Sequence, residues 1–287
     1  MTALFALTRA LHFASLMAIF GAGAFAFVAR EPRNDPMLRK PLAAAALAAL
    51  ATAVLSLCLV TGEMTGVPEA SYDVFSVATV VAQTFYGNVF LLRIALLVGL
   101  SLLCVADAGP GLKALTGGTA LALLGLTSHA AAAGDARYEY ARAAVDALHL
   151  LAAGFWIGGL VALLPAIFAR PRDVPKLIAR LRLFSFYGLI AVAILFAAGT
   201  LNGIAILDVR GMRWSGTYLT WLAVKLVLAG VMIALALTNR FGVLPALARG
   251  EKEAQDTIPL TVLAELSCAA LILLAVGFLG LTSPMQM

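Results

Sequence analysis

His12, His129 and His149 are the only three histidines of the chain, and each sits inside a long apolar segment. An imidazole in hydrocarbon is costly unless it faces a cavity, a partner or a ligand. Imidazole ligates copper in both oxidation states and serves as an axial ligand of haem iron, so rings converging at one level would suit a metal or haem centre. Asp146 precedes His149 by three residues and shares its helical face, where a carboxylate can orient the ring. Trp156, seven residues after His149, falls on the same face. Sulfur ligands are available as well. Met64 and Cys58 lie near the end of the second apolar segment, Met212 lies in a loop, and Met285 and Met287 form a C-terminal M-x-M. Thioether and thiolate groups favour Cu(I).

The elements that must position these residues are membrane helices. The chain has 287 residues, of which 62% are hydrophobic and only 12% charged, about half the charge of a soluble domain. Continuous apolar runs of about 20 residues each span a bilayer core, whereas a β-barrel would show short alternating segments. The runs predict an all-α polytopic bundle of about eight spans, at roughly 3–29, 41–61, 88–106, 114–133, 143–168, 186–207, 217–238 and 260–281, forming one membrane domain over 1–287. The loop over about 62–87 is acidic, and its stretch from Tyr72 to Tyr86 is expected to form a short surface helix.

Charge sets the expected orientation. Most of the 20 lysines and arginines follow odd-numbered spans: Arg30 to Lys40, Lys113, Arg170 to Arg182, and Arg240 to Lys252. The positive-inside rule then places those loops in the cytoplasm and both termini outside. On that topology His12, His129 and His149 lie roughly 6–14 Å below the outer surface, at 1.5 Å per residue. The short loop between the fourth and fifth spans predicts that His129 and His149 face each other across a hairpin. Lys225 is expected to snorkel outward, and Glu265 to reach the cytoplasmic interface.

The net charge of +5 is explained by this bias, so no nucleic-acid partner is implied. Cys58, Cys104 and Cys268 form no C-x-x-C pair and give neither a disulfide framework nor a zinc signature. No H-E-x-x-H, Walker loop or nucleophile elbow occurs, and an enzyme is not expected.

The stretch from Leu148 and His149 through Trp156, Gly158, Gly159 and Leu160 resembles the "LH…WxGGL" signature of the CopD family of copper resistance membrane proteins. So do Arg182-Leu-Phe184-Ser185, Gly199-Thr-Leu-Asn202-Gly203, Thr217 through Lys225, and Thr238-Asn239-Arg240. The resemblance covers essentially the whole chain and is strongest over about 125–245. It implies a multi-pass protein of the bacterial inner membrane that takes periplasmic copper, as Cu+ or Cu2+, from a CopC-type carrier and moves it inward. His12, His129 and His149 would then be copper ligands, Met64 and Cys58 accessory ones, and Asp146 and Trp156 supporting neighbours. Two alternatives stand beside it: a b-type cytochrome in which two of the histidines ligate haem, and a non-transporting scaffold that hands copper to an oxidase.

Overall fold

The computed structural model describes residues 2–127, 138–207 and 216–282, with the backbone alone over 205–207. Every regular element among them is helical, as expected of a chain whose backbone groups must be satisfied in lipid. The long helices are α1 (Thr2–Val28), α2 (Pro36–Thr65), α4 (Phe85–Val105), α6 (Glu139–Phe168), α7 (Val174–Leu207), α8 (Gly216–Thr238) and α10 (Lys252–Leu279). These seven are long and apolar enough to cross a membrane, α8 continuing through a π-helical turn, Asn239–Val243, into the short α9, Leu244–Ala248.

The helices outrun the apolar windows that predict them. α7 begins twelve residues before its expected span and α10 eight, with Pro259 carried inside α10. Hydropathy marks only the stretch buried in hydrocarbon, whereas the hydrogen-bonded backbone continues into the charged interface. Local chemistry fixes several ends. Asp35 caps α2 by accepting from the Met37 amide at 3.0 Å, with Pro36 in the first turn, and Gly66 closes it at φ 69°. Thr84 caps α4 through the Gly87 amide at 2.9 Å.

The expected fourth span is built differently. α5 (Pro110–Ala122) is short and tightens into a 3₁₀ stretch, Leu123–Thr127. Gly117, Gly118, Gly125 and Thr127 are poor helix formers, which accounts for the weakening. The rest of that span lies outside the described residues. The acidic loop does carry its surface helix, α3 (Val74–Gln83), which leaves Val74 and Phe75 uncovered.

α1 is the central helix. Its Gly21 meets α6 at the backbone of Gly154 and Gly158, its Gly23 meets the first turn of α5, and its Ala6 carbonyl lies against Gly277 of α10. Close approach through small residues is the usual means by which membrane helices gain packing, since lipid offers no hydrophobic drive. α8 stands at the edge, with only Tyr218 and Met232 buried.

Candidate functional site

His12 is buried on α1 with both ring nitrogens engaged. Arg93 of α4 lies 2.6 Å from Nε2. A guanidinium can only donate, so Nε2 is the acceptor and Nδ1 carries the hydrogen. That hydrogen is shared between Thr52 Oγ1 at 2.9 Å and the Ala49 carbonyl at 3.1 Å, both on α2. Thr52 is free to accept because its own hydroxyl donates to the Ala48 carbonyl at 2.6 Å. Arg9 and Tyr86 lie within electrostatic reach of Arg93, and Glu63 within reach of Arg9. The result is a polar chain joining α1, α2 and α4, buried at His12, Thr52 and Arg93 and reaching the surface at Glu63.

His149 sits in a second cluster, half-buried on α6. Its ring faces Gly199 of α7, where an added Cβ would lie 3.4 Å from Cε1. Nδ1 is buried without a close hydrogen-bond partner, and the Leu195 carbonyl of α7 lies near the ring. Asn202 Nδ2 of α7 donates to Asp146 Oδ1 at 3.1 Å. Lys225 of α8 is not extended into solvent but half-buried, within electrostatic reach of both Asp146 and His149. A neutral imidazole nitrogen without a partner, backed by a carboxylate one helical turn away, suits a metal cation; the nearby ammonium opposes it.

The two histidines sit at matching levels of their helices but do not converge. α1 and α6 run parallel: Met17 and Gly21 meet Gly154 and Gly158, and further along Arg180 bridges Glu31, just past α1, to the Ala162 carbonyl of α6. His12 precedes Gly21 by nine residues and His149 precedes Gly158 by nine, so their levels agree. At 100° per residue, however, each ring is turned about 140–180° from the face where the two helices touch. The rings therefore point to opposite sides of the α1–α6 pair, and one haem iron cannot take both. Among the described residues no group of three or more His, Cys, Asp or Glu side chains could hold a metal ion. His129 lies outside the described residues, as do Met212, Met285 and Met287. Gly125, four residues before His129, packs on α6 at Ala143 and Ala147. Cys58 is half-buried on α2 and Met64 exposed near its end.

Trp156 and Glu265 form a third cluster. The indole Nε1 donates to Glu265 Oε2 at 3.4 Å, and Asn239 Nδ2 donates to Oε1 at 2.7 Å. Glu265 does not reach the cytoplasmic interface, as its place in the apolar run suggested; it is 2% exposed, because α10 begins at Lys252 and carries it to mid-helix. These residues line a cavity of about 90 Å³ between α6, α7, α8 and α10. On its far wall Arg240 donates to Ser185 Oγ at 2.6 Å and to the Ser185 carbonyl at 2.9 Å. Sequence reasoning missed this cluster; the signal was an acid with no basic residue one turn away on either side.

Two family profiles match the chain: copper resistance protein D-like, N-terminal domain, over residues 1–139, and copper resistance protein D over residues 178–279. Copper resistance protein D of Pseudomonas syringae pv. tomato is 35% identical over 95% of this chain and 94% of its own length. Inner membrane protein YebZ of Escherichia coli strain K12 is 29% identical over 96% of this chain and 97% of its own. No solved structure matches the chain.

Proposed function

Because the chain belongs to the copper resistance protein D family, we propose that it binds copper on the periplasmic side of the inner membrane and passes it toward the cytoplasm. The observation that carries this reading is the buried Nδ1 of His149, without a close hydrogen-bond partner, facing Gly199 one helical turn from the Asp146–Asn202 pair. His149 is the primary ligand of the loading site. His129, four positions after Gly125 and outside the described residues, is the expected second imidazole. His12 stands outside this site: it points to the other side of the α1–α6 pair, and Arg93 occupies its Nε2. Met64 and Cys58, on α2 at the His12 side, are soft side chains that would favour Cu(I) there rather than at His149.

The distribution of basic residues supports an orientation with both termini periplasmic, so that the loading site faces the compartment of a CopC-type carrier. The test is copper accumulation in vesicles oriented with the periplasmic face outward, alongside metal analysis of the purified protein. The reading expects bound copper and inward flux in the parent protein and loss of both in His149→Ala. Binding without flux would identify a scaffold, and a Soret band from the purified protein would identify a cytochrome.

A further inference from the structure

The geometry points to Glu265 as a proton-binding carboxyl inside the membrane, taking up and releasing one proton through the cavity it lines.

Four observations carry the inference. First, Glu265 is enclosed at the middle of α10, thirteen residues from its start and five residues inside the apolar run that begins at 260. Ionisable groups at such depth are expensive to keep and mark ion or proton pathways. Second, both carboxyl oxygens are met by neutral donors, Trp156 Nε1 and Asn239 Nδ2, and no Lys or Arg lies within 4.0 Å of them among the described residues. A carboxylate so placed lacks the countercharge that would hold it ionised, and the neutral acid loses little by forming. Third, Asn239 Oδ1 is buried without a partner, so an acceptor stands ready on the same amide for a water or a carboxyl O–H. Fourth, the cavity of about 90 Å³ has room for more than one water, each needing about 30 Å³, so a proton has a carrier.

The backbone around Asn239 fits a functional position. Asn239 opens the π-helical turn, an interruption often found at functional sites, and this turn aims its amide across to α10. The cavity also has a way out. Ser185, Arg240 and Leu244 line both it and an open pocket formed with Arg182, Phe186 and Pro245. That second pocket lies toward the basic loops, so the proton exchanges with the side on which those loops sit.

The charged neighbours are few. Arg240, from the π turn, is the other ionisable residue on the cavity wall, and its guanidinium is directed to Ser185. α6 presents Trp156, Leu160 and Leu163 there, and α8 presents Ile233 and Leu237. The ionisable residues of α6 nearest in sequence, Asp146 and His149, lie two or more turns away, and Lys225 of α8 fourteen residues before Asn239. Arg9 of α1 packs at the opposite end of α10, against Gly280. α9 contributes no ionisable side chain.

The indole bonded to the carboxyl provides the readout. The chain has three tryptophans, and Trp214→Phe with Trp221→Phe leaves Trp156 as the only emitter. In detergent-solubilised protein its emission is expected to change with pH in one single-proton step, and that step is expected to vanish in the isosteric Glu265→Gln. Glu139→Gln, on the same helix as Trp156 but far from the cavity, leaves it in place. Emission that is flat with pH, or a step that survives Glu265→Gln, overturns the proposal. An acid-minus-alkaline infrared difference spectrum of the unaltered protein gives a second reading, independent of whether the variant folds. It should contain the carbonyl stretch of a carboxylic acid in a non-aqueous site, and its absence would also overturn the proposal. Neither measurement involves copper, so either can fail while the transport reading stands.

Discussion

Nη2 of Arg93 and Nε2 of His12 lie 2.6 Å apart, and both residues are buried between α1, α2 and α4. The contact fixes the tautomer of the ring and gives the guanidinium a neutral acceptor in a place where water cannot supply one. Removing the ring leaves a buried cation short of a partner. His12→Ala is therefore expected to destabilise the protein by about 1–3 kcal/mol, the usual cost of orphaning a buried polar group. Arg93→Ala should also destabilise, and the double variant by less than the sum. Unfolding midpoints in one detergent check this. A His12→Ala protein of unchanged stability that has lost copper would make His12 a direct ligand instead.

His149 makes the opposite prediction, since its Nδ1 has no partner to lose. His149→Ala should be nearly neutral for stability and abolish tight copper binding. Asp146→Asn, which keeps the shape but not the charge, should weaken copper by roughly 10–100-fold, as loss of a supporting carboxylate does at other metal sites. Competition against a chelator of known affinity measures both. Equal affinity in all three proteins would remove His149 from the site.

The glycine contact between α1 and α6 should be intolerant of a methyl group. A Cβ on Gly158 would meet the Met17 carbonyl and lie 2.6 Å from the Gly21 Cα, so backbone rather than a flexible side chain must yield. Gly158→Ala is expected to cost about 1–3 kcal/mol or to abolish insertion. Gly188→Ala, with nothing near its position, should fold like the parent. Thermal unfolding of the two variants side by side decides it.

α3 should loosen in acid. Asp73 caps it by accepting from the Ser76 amide at 2.9 Å and the Ser76 hydroxyl at 2.6 Å, and these bonds hold its carboxyl below the usual carboxylate range. A depressed folded-state value means the cap is in force above the ordinary carboxylate range and is lost as pH falls through the lowered one. The protection factors of the Phe75 and Ser76 amides, taken relative to the intrinsic exchange rate at each pH, should therefore fall at low pH. In Asp73→Asn, which still accepts but does not titrate, exchange protection should not depend on carboxyl protonation.

Composition and apolar runs were enough to give the all-helical, multi-pass architecture, because the bilayer leaves a chain few alternatives. That His12 and His149 sit at matching levels of α1 and α6 was legible too, since level follows from counting residues along a helix. Their directions were not. Which side of α1 meets α6 is decided by Gly21, Gly154 and Gly158, and a small-residue pattern says that helices touch without saying which ones. Arg93 was invisible for a related reason: its link to His12 crosses 81 positions of sequence. Glu265 was misplaced because the apolar window began at 260, eight residues inside the helix that carries it.

α6 lies between the two matched family segments, yet it is the helix against which α1 sets its glycine face. The consequence falls on biogenesis. α1 leaves the ribosome before α6, and the groove it needs is made only after α2, α3, α4 and α5 have been synthesised. Until then its Gly21 side must wait in lipid or on an insertase, and severing the chain ahead of α6 would strand the nascent N-terminal half without its keystone.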